Sequence, residues 1–452
     1  MRIGMNDDMC LGLELELIRQ GHTLLRYLPV MLSPEDVKYL PDTKAGSTDP
    51  ADYDYIGAYR DSIVYCQSFE HLIAEKPDLC VVDGKKPAMY RRLCWEGIPT
   101  IGYSSLWHAA EKDRCFSARL AEACGMKVPQ AWSCKTKQEA IERIEQQQGK
   151  VVLKGDEQYR GNSDFRTVVP QTPDDLIYFL EGTSSFDRQG SILLLEKIEG
   201  IEVGFGAWFN GQEFLPPYYV DFEHKVACNA NRSGVLTGEV GTLLFHDFDL
   251  TLKAWKVMTR FAGALREQGT FHGLLDVNCI LTPSGDLYFL EFTSRFGKPT
   301  LELVLSQVAG DVGDMLYNVA SGSSSPLPLL TDFVCGVCAF TYGMPLADSS
   351  DVFPMPLVHG IEQAHAHADV RMLDVTIQHK DKVRAHWNSR SLVVNGCGAS
   401  ADLARQRAYD GIKHINYWGM TYRDDVSESW DRDRYGLLEH GYINRARFGK
   451  TE

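Results

Sequence analysis

Gly273-Leu-Leu-Asp276-Val-Asn-Cys-Ile-Leu-Thr-Pro-Ser-Gly-Asp-Leu-Tyr-Phe-Leu-Glu291-Phe-Thr293-Ser-Arg295-Phe-Gly-Lys-Pro299 is the stretch on which the fold turns. Two apolar runs, Leu274–Leu281 and Leu287–Phe292, flank the turn Pro283–Asp286 and predict a β-hairpin. Each strand carries one carboxylate, Asp276 and Glu291. On one face the two repel unless a cation or a donor lies between them, which points to a divalent metal; the sequence equally permits opposite faces. Arg295 follows closely with a guanidinium suited to a bidentate phosphate contact, or to a surface ion pair.

Upstream, Val203–Phe209 and Glu213–Pro216 form a second strand pair around Asn210-Gly211. Before it, the apolar strand Ile192–Glu196 runs into Glu196-Lys-Ile198-Glu-Gly-Ile-Glu202. Glu196 and the backbone near Ile198 could meet an adenine edge and Glu202 ribose hydroxyls; the plainer reading is an acidic turn. Lys154 ends the strand Val151–Lys154 beside the polar stretch Gly155–Asp164, a place for phosphate or for a solvated lysine. Leu250–Glu267 predicts one long amphipathic helix, and Lys112–Cys124 another of mixed charge. From Met1 to Tyr103 short apolar strands alternate with helical stretches, which implies a parallel α/β sheet. After residue 325, strand candidates at Phe333–Phe340 and Val370–Ile377 precede a helix at Ser400–Ile415.

A chain of 452 residues exceeds one compact core and suits two to four domains. The net charge of -15 argues against bulk nucleic-acid binding but leaves room for a phosphate pocket, which needs only a few local donors. The scattered cysteines form no disulfide framework, and neither a signal peptide nor a membrane-length apolar run is evident, so a cytoplasmic protein with reduced thiols is expected. Cys335-Gly-Val-Cys338 has no second pair and reads as strand interior, and His365-Ala-His367 as structural.

In order and spacing these pieces resemble the ATP-grasp superfamily. Asp113-Arg114 and Ala123-Cys-Gly-Met-Lys-Val-Pro129 look like the opening of its ATP-binding subdomain, followed by Lys154, Glu196–Glu202, Asp276 and Glu291–Gly297. Within it, glycinamide ribonucleotide synthetase is the nearest pattern. Pro77-Asp-Leu-Cys-Val-Val-Asp-Gly84 and Gly97–Gly102 are similar to its first domain, and Glu223-His224-Lys225 to its Asp-His-Lys step. Arg295-Phe-Gly-Lys-Pro299 resembles its Arg-Phe-Gly-Asp-Pro, and Val358-His-Gly-Ile361, Arg407-Ala-Tyr409 and Tyr422-Arg-Asp-Asp425 its last domain.

The resemblance implies an α/β (α+β) protein in several parts. These are an N-terminal parallel α/β domain (1–108), an ATP-grasp domain of two α+β subdomains (109–325, its small lid subdomain at about 129–198), a small C-terminal α+β domain (326–428) and a tail (429–452). It implies an enzyme that joins an amino-acid carboxylate to an amine, using ATP and Mg2+, or Mn2+. Arg114 and Lys154 would bind ATP phosphates, and Glu196, Ile198 and Glu202 adenine and ribose. Asp276, Glu291 and Thr293 would ligate the metal, with Arg295 and Lys225 as catalytic cations. Partners would be small molecules, and the protein a monomer or homodimer without membrane attachment.

The departures are specific. Arg114 stands for a lysine and Thr293 for a metal-binding asparagine. The Gly-rich loop after the first strand is here Asn6-Asp-Asp-Met-Cys10, whose aspartates would repel a sugar phosphate. The Pro-Asn-Thr-Gly-Gly-Met-Gly run is here Val235-Leu-Thr-Gly-Glu-Val-Gly241. Three readings follow: the family reaction with phosphoribosylamine, the same chemistry on another amine, or a non-catalytic ATP-binding protein. The retained Lys154, Asp276, Glu291 and Arg295 disfavour the third. The tail Trp430–Glu452, with interleaved Arg, Asp and Tyr, reads as a solvated extension in preference to an interaction surface.

Overall fold

The computed structural model describes residues 1–6, 10–27, 54–83, 86–154, 168–170, 172–183, 192–226, 236–267, 271–341, 354–379 and 382–449. Near the N-terminus, β1 (Arg2–Met5), β2 (Thr23–Tyr27), β3 (Ile63–Cys66), β4 (Leu79–Val81) and β5 (Thr100–Tyr103) form a parallel sheet in the order β3-β2-β1-β4-β5. Ile3, Leu24, Leu25, Leu79 and Val81 are fully buried, as strands covered on both faces require.

A small three-stranded sheet comes next: β6 (Ala131–Cys134), β7 (Val151–Lys154) and β8 (Ile192–Glu196), with β8 central and antiparallel to both neighbours. The helices Lys137–Gln146 and Pro173–Gly182 cover it around its own core of Ala140, Ile144, Val151, Leu153, Leu176, Leu180 and Leu194. Thr136 and Thr172 cap those helices, and Thr172 forms a capping box with Asp175.

The large antiparallel region contains β9 (Ile201–Asn210), β10 (Phe214–Val226), β11 (Leu236–Asp247), β12 (Phe271–Leu281), β13 (Leu287–Thr293), β14 (Phe333–Thr341), β15 (Asp369–Met372) and, past the β16 (Val375–His379)–β17 (Lys382–Ala385) ribbon, β18 (Arg390–Gly398). Its order is β15-β18-β14-β11-β10-β9-β12, with β13 on β12. Phe271 and His272 of β12 pair with Tyr103 and Gly102 of β5, so the parallel and antiparallel sheets are continuous.

Several expectations are corrected. The single helix at 250–267 is two, Lys253–Arg260 and Ala262–Glu267, broken at Phe261. The helix at 112–124 begins afresh at Arg114, because the Asp113 carboxylate caps it by accepting the Phe116 N–H. The strand at 370–377 turns at Leu373-Asp374. His365 ends a short helix, Ile361–His365. The stretch 155–164 lies outside the described residues.

The tail is not a solvated extension. Trp430, Leu437, Tyr442, Ile443 and Phe448, from the helices Trp430–His440 and Arg445–Phe448 and the turn between them, are buried. Trp430 packs edge-on against Phe222, Phe245 and Phe333 of β10, β11 and β14. Arg447 lies over Phe448 and donates to the His246 carbonyl.

Candidate active site

The β12–β13 register decides the question of faces. Asp276 pairs with Thr293 and Asn278 with Glu291, and because side chains alternate, all four project from one face. They line a cavity of about 210 Å³ together with Tyr219, Glu223, Lys225, Glu239, Arg295, Lys298, Thr300 and Arg390, among others. The two predicted carboxylates therefore share a face, and Asp276 is 5 % exposed.

The next strand shapes the floor. Gly206 of β9 lies between Tyr219 and Asp276, and Gly204 between Asp221 and Asn278. A Cβ on Gly206 would stand 1.9 Å from the Tyr219 ring, and one on Gly204 2.0 Å from Asp221 Oδ1. The two glycines let β10 side chains cross β9, and the Tyr219 hydroxyl donates to Asp276 Oδ2 at 2.7 Å. Asn278 Nδ2 donates to Asp276 Oδ1 at 3.1 Å. Sequence reading missed Tyr219, Asp221 and Asn278; the Gly-x-Gly in an otherwise bulky strand was the signal available.

Cations gather around Glu291. Lys225 Nζ lies 3.7 Å from Glu291 Oε1, 2.7 Å from Glu223 and 2.9 Å from Glu202. Arg114 Nη1 is 3.5 Å from Glu291 Oε2. Burial would raise the Glu291 pKa, but Lys225, Arg114, Lys154 and Arg295 overcome it and bring it to about 2. Lys154, carried in by the small sheet, is lowered to about 8 by burial first and then by Arg114. Arg295 is positioned by a residue the sequence did not flag: its Nε donates to Glu111 Oε1 at 3.2 Å, and Ser294 donates to the other oxygen of Glu111.

Of the predicted site residues, Asp276, Glu291, Thr293, Arg295 and Lys225 line the cavity. Arg114 and Lys154 join through Glu291, and Glu202 through Lys225. Glu196 and Ile198 lie apart from that lining, at and just beyond the end of β8, where Glu196 Oε2 accepts the Gln130 N–H at 3.2 Å. Among the described residues no three of His, Cys, Asp and Glu form a metal-holding group, and Thr293 and Asn278 lie beside the two carboxylates in the cavity lining.

Away from Glu291 the acids crowd one another. Asp221 is fully buried, and its pKa is driven well up by burial and then by Asp276 and Glu223. Asp276 is likewise driven up by burial and then by Glu223. Glu239, 6 % exposed, accepts from the Thr242 and Thr300 hydroxyls, the latter at 2.9 and 3.1 Å, while Arg390 binds its backbone carbonyl at 3.0 Å. Burial and then Glu223 push Glu239 up to about 8.

No family model matches the chain. It is similar to a phosphoribosylamine–glycine ligase of Leifsonia xyli subsp. xyli, 26% identical over 372 residues, covering 79% of this chain and 84% of that protein. One of Nostoc sp. is 24% identical over 341 residues, covering 73% and 78%. Among solved structures, the phosphoribosylamine–glycine ligase of Thermotoga maritima superposes with a TM-score of 0.67 at 18% identity, covering 94% of this chain and 100% of that one. An N5-carboxyaminoimidazole ribonucleotide synthetase of the same organism gives 0.57 at 14%, covering 92% and 99%. Over most of its length the chain is thus similar in sequence to phosphoribosylamine–glycine ligases, and it shares the fold of a solved member of that group.

Proposed function

We propose that the protein is an ATP-dependent ligase that joins an amino-acid carboxylate, glycine by analogy with its relatives, to an amine through an acyl phosphate. The observation that carries this reading is Glu291, a carboxylate ringed by Lys225, Arg114, Lys154 and Arg295 on the face it shares with Asp276. Such an array suits a triphosphate with its metal, and it is costly to maintain otherwise. Asp276, Glu291 and Thr293 offer the hard oxygens that Mg2+ takes, and Mn2+ accepts the same set. The Asn278 amide oxygen, opposite Glu291, supplies the donor that Thr293 lacks. A bound ion would neutralise charge on the transferring phosphoryl group.

Lys154 and Arg114 hold the phosphates, and Arg295, fixed by Glu111, faces the transferring group with Lys225. Glu196 and the backbone at Ile198 take the adenine, and Glu202 the ribose. The carboxylate oxygen attacks the γ-phosphorus and ADP departs. The amine nitrogen then attacks the acyl carbon, and phosphate leaves with the bonding electrons. The substrates are small molecules, and the protein acts as a monomer or homodimer.

The test measures ADP release with magnesium, ATP and glycine, using hydroxylamine or in situ phosphoribosylamine as nucleophile, with mass spectrometry of products. Glycine-dependent ADP release that is lost in Lys154→Ala and Glu291→Ala supports the ligase. ATP binding without turnover for any carboxylate and nucleophile would leave only the nucleotide-binding reading.

A further inference from the structure

Lys225, Arg114, Lys154 and Arg295 converge on Glu291, but two further cations of the cavity lining, Lys298 and Arg390, form no ion pair with it. Lys298 lies in the loop between β13 and the helix Thr300–Leu305, and Arg390 opens β18, so segments distant in sequence meet here. The Arg390 guanidinium is fixed by the backbone around it: Nη1 donates to the Glu239 carbonyl at 3.0 Å and to the Lys298 carbonyl. Gly238 leaves it room, since a Cβ there would stand 3.2 Å from Nη1. The N–H bonds of Nε and Nη2 have no partner among the described residues, and no carboxylate side chain pairs with Arg390 among them.

Lys298 Nζ donates to Asp374 Oδ1 at 3.3 Å, and the Ser389 hydroxyl holds the other oxygen of Asp374. Burial would raise Asp374, but Lys298, Ser389 and Arg390 keep it below the usual carboxylate range, so both cations act on one anion. Two positive charges against that one leave a surplus. Glu239, on the same wall, does not cancel it by contact, because its side-chain oxygens turn to the hydroxyls of Thr242 and Thr300. A partly buried cation without a counter-charge is costly unless a ligand supplies one. The position of Lys298 is aspartate in the Arg-Phe-Gly-Asp-Pro pattern of the resembled family, so this wall has exchanged an anion for a cation.

Resting on the ligase reading above, we propose that Lys298 and Arg390 form a subsite for an oxyanion, a carboxylate or a phosphate, on the substrate that shares the cavity with ATP, and that this group takes no part in the bond change. Arg390 presents Nε and Nη2 as a planar fork for two oxygens, and Lys298 adds a point charge. Arg423 shows the same fork in use elsewhere in the chain, where Nε and Nη2 take the two oxygens of Asp425 at 2.8 and 2.7 Å. Because Nη1 is anchored to two carbonyls and Lys298 to Asp374, the donors are in place before the ligand arrives. Lys298 is thereby a specificity residue, selecting a charged substrate over its neutral counterpart.

Hydroxamate formation from glycine, magnesium, saturating ATP and hydroxylamine reports turnover without knowledge of the natural acceptor. Two pairs of compounds are added as inhibitors: ribose 5-phosphate against ribose, and N-acetylalanine against N-acetylalaninamide. Within each pair the decisive difference is the oxyanion. The charged member of at least one pair is expected to inhibit about tenfold or more tightly than its neutral counterpart. Preference in the first pair assigns the subsite to a phosphate, and in the second to a carboxylate. Lys298→Asp, which restores the family residue, and Arg390→Gln are each expected to abolish that preference. Lys298→Met, which keeps the length of the side chain without its charge, should act alike if the others fold poorly by circular dichroism. Equal inhibition within both pairs, no inhibition by any of the compounds, or a preference that survives in the variants overturns the inference. Absence of hydroxamate from the wild type with any carboxylate instead overturns the ligase reading, and the inference falls with it.

Discussion

The two ends of one cavity use the same residue type to opposite effect. At the end proposed to hold the phosphates Glu291 is brought to about 2, because Lys225, Arg114, Lys154 and Arg295 outweigh its burial. At the other end Glu239 is pushed to about 8, because burial adds to the charge of Glu223. Lys225 stands between the ends, 2.7 Å from Glu223 and 3.7 Å from Glu291. The contrast teaches that a carboxylate's role is written by its neighbours: one stays ionised to hold cations, while the other can trade a proton.

The largest expected effect breaks the phosphate end. Glu291→Gln removes a charge on which four cations converge, and glycine-dependent ADP release should fall by about 10²–10³-fold. Circular dichroism would check that the fold survives. A fall under fivefold would mean that the cations organise the site without Glu291.

The floor joining the two ends gives the next effect. Gly206→Ala drives a Cβ to 1.9 Å from the Tyr219 ring, so Tyr219 must leave Asp276. Overpacking of this kind costs about 1–3 kcal/mol, measurable by urea unfolding. Tyr219→Phe loses the 2.7 Å hydrogen bond alone and should cost about 1 kcal/mol. The pair of variants separates steric from hydrogen-bonding contributions.

These glycines show what the sequence could reveal and what it could not. The hairpin was legible because two apolar runs flank Pro283–Asp286, but whether Asp276 and Glu291 share a face depends on register, and a one-residue slip reverses it. Tyr219 and Asp221 were hidden because Pro216-Pro217 seemed to end the strand. The structure places an irregularity between Leu215 and Tyr219 and carries β10 on to Val226. The tail was misread because its Arg and Asp residues mask Trp430, Leu437 and Phe448, whose burial depends on the aromatic face of a sheet distant in sequence. Glu111 was unreadable for a similar reason: only the fold brings it beside Arg295.

A smaller effect sharpens the comparison through pH at the phosphate end. Lys154 is lowered to about 8, so it is charged below that pH and loses its proton above it. A cation that binds ATP phosphates should then let the apparent KM for ATP rise as pH passes about 8. Lys154→Arg keeps its charge and should flatten this dependence. An identical rise in both proteins would assign the titration to another group.

A last effect is on stability at the Glu239 end, and its sign is opposite to that of an ordinary ion-paired acid. Glu239 has its folded pKa raised from 4.5 to about 8, so the folded state binds more protons than the unfolded chain between those values. Its contribution is fully present below about pH 4.5 and is lost as pH rises through about 8. Glu239→Gln cannot ionise and escapes this loss, so its melting temperature relative to wild type should improve from pH 5 to pH 8.5. Glu291→Gln, tested alongside, should show no such gain, since Glu291 titrates near 2 and remains charged across the whole range. Parallel curves for the two variants would mean that the two ends share one electrostatic environment after all.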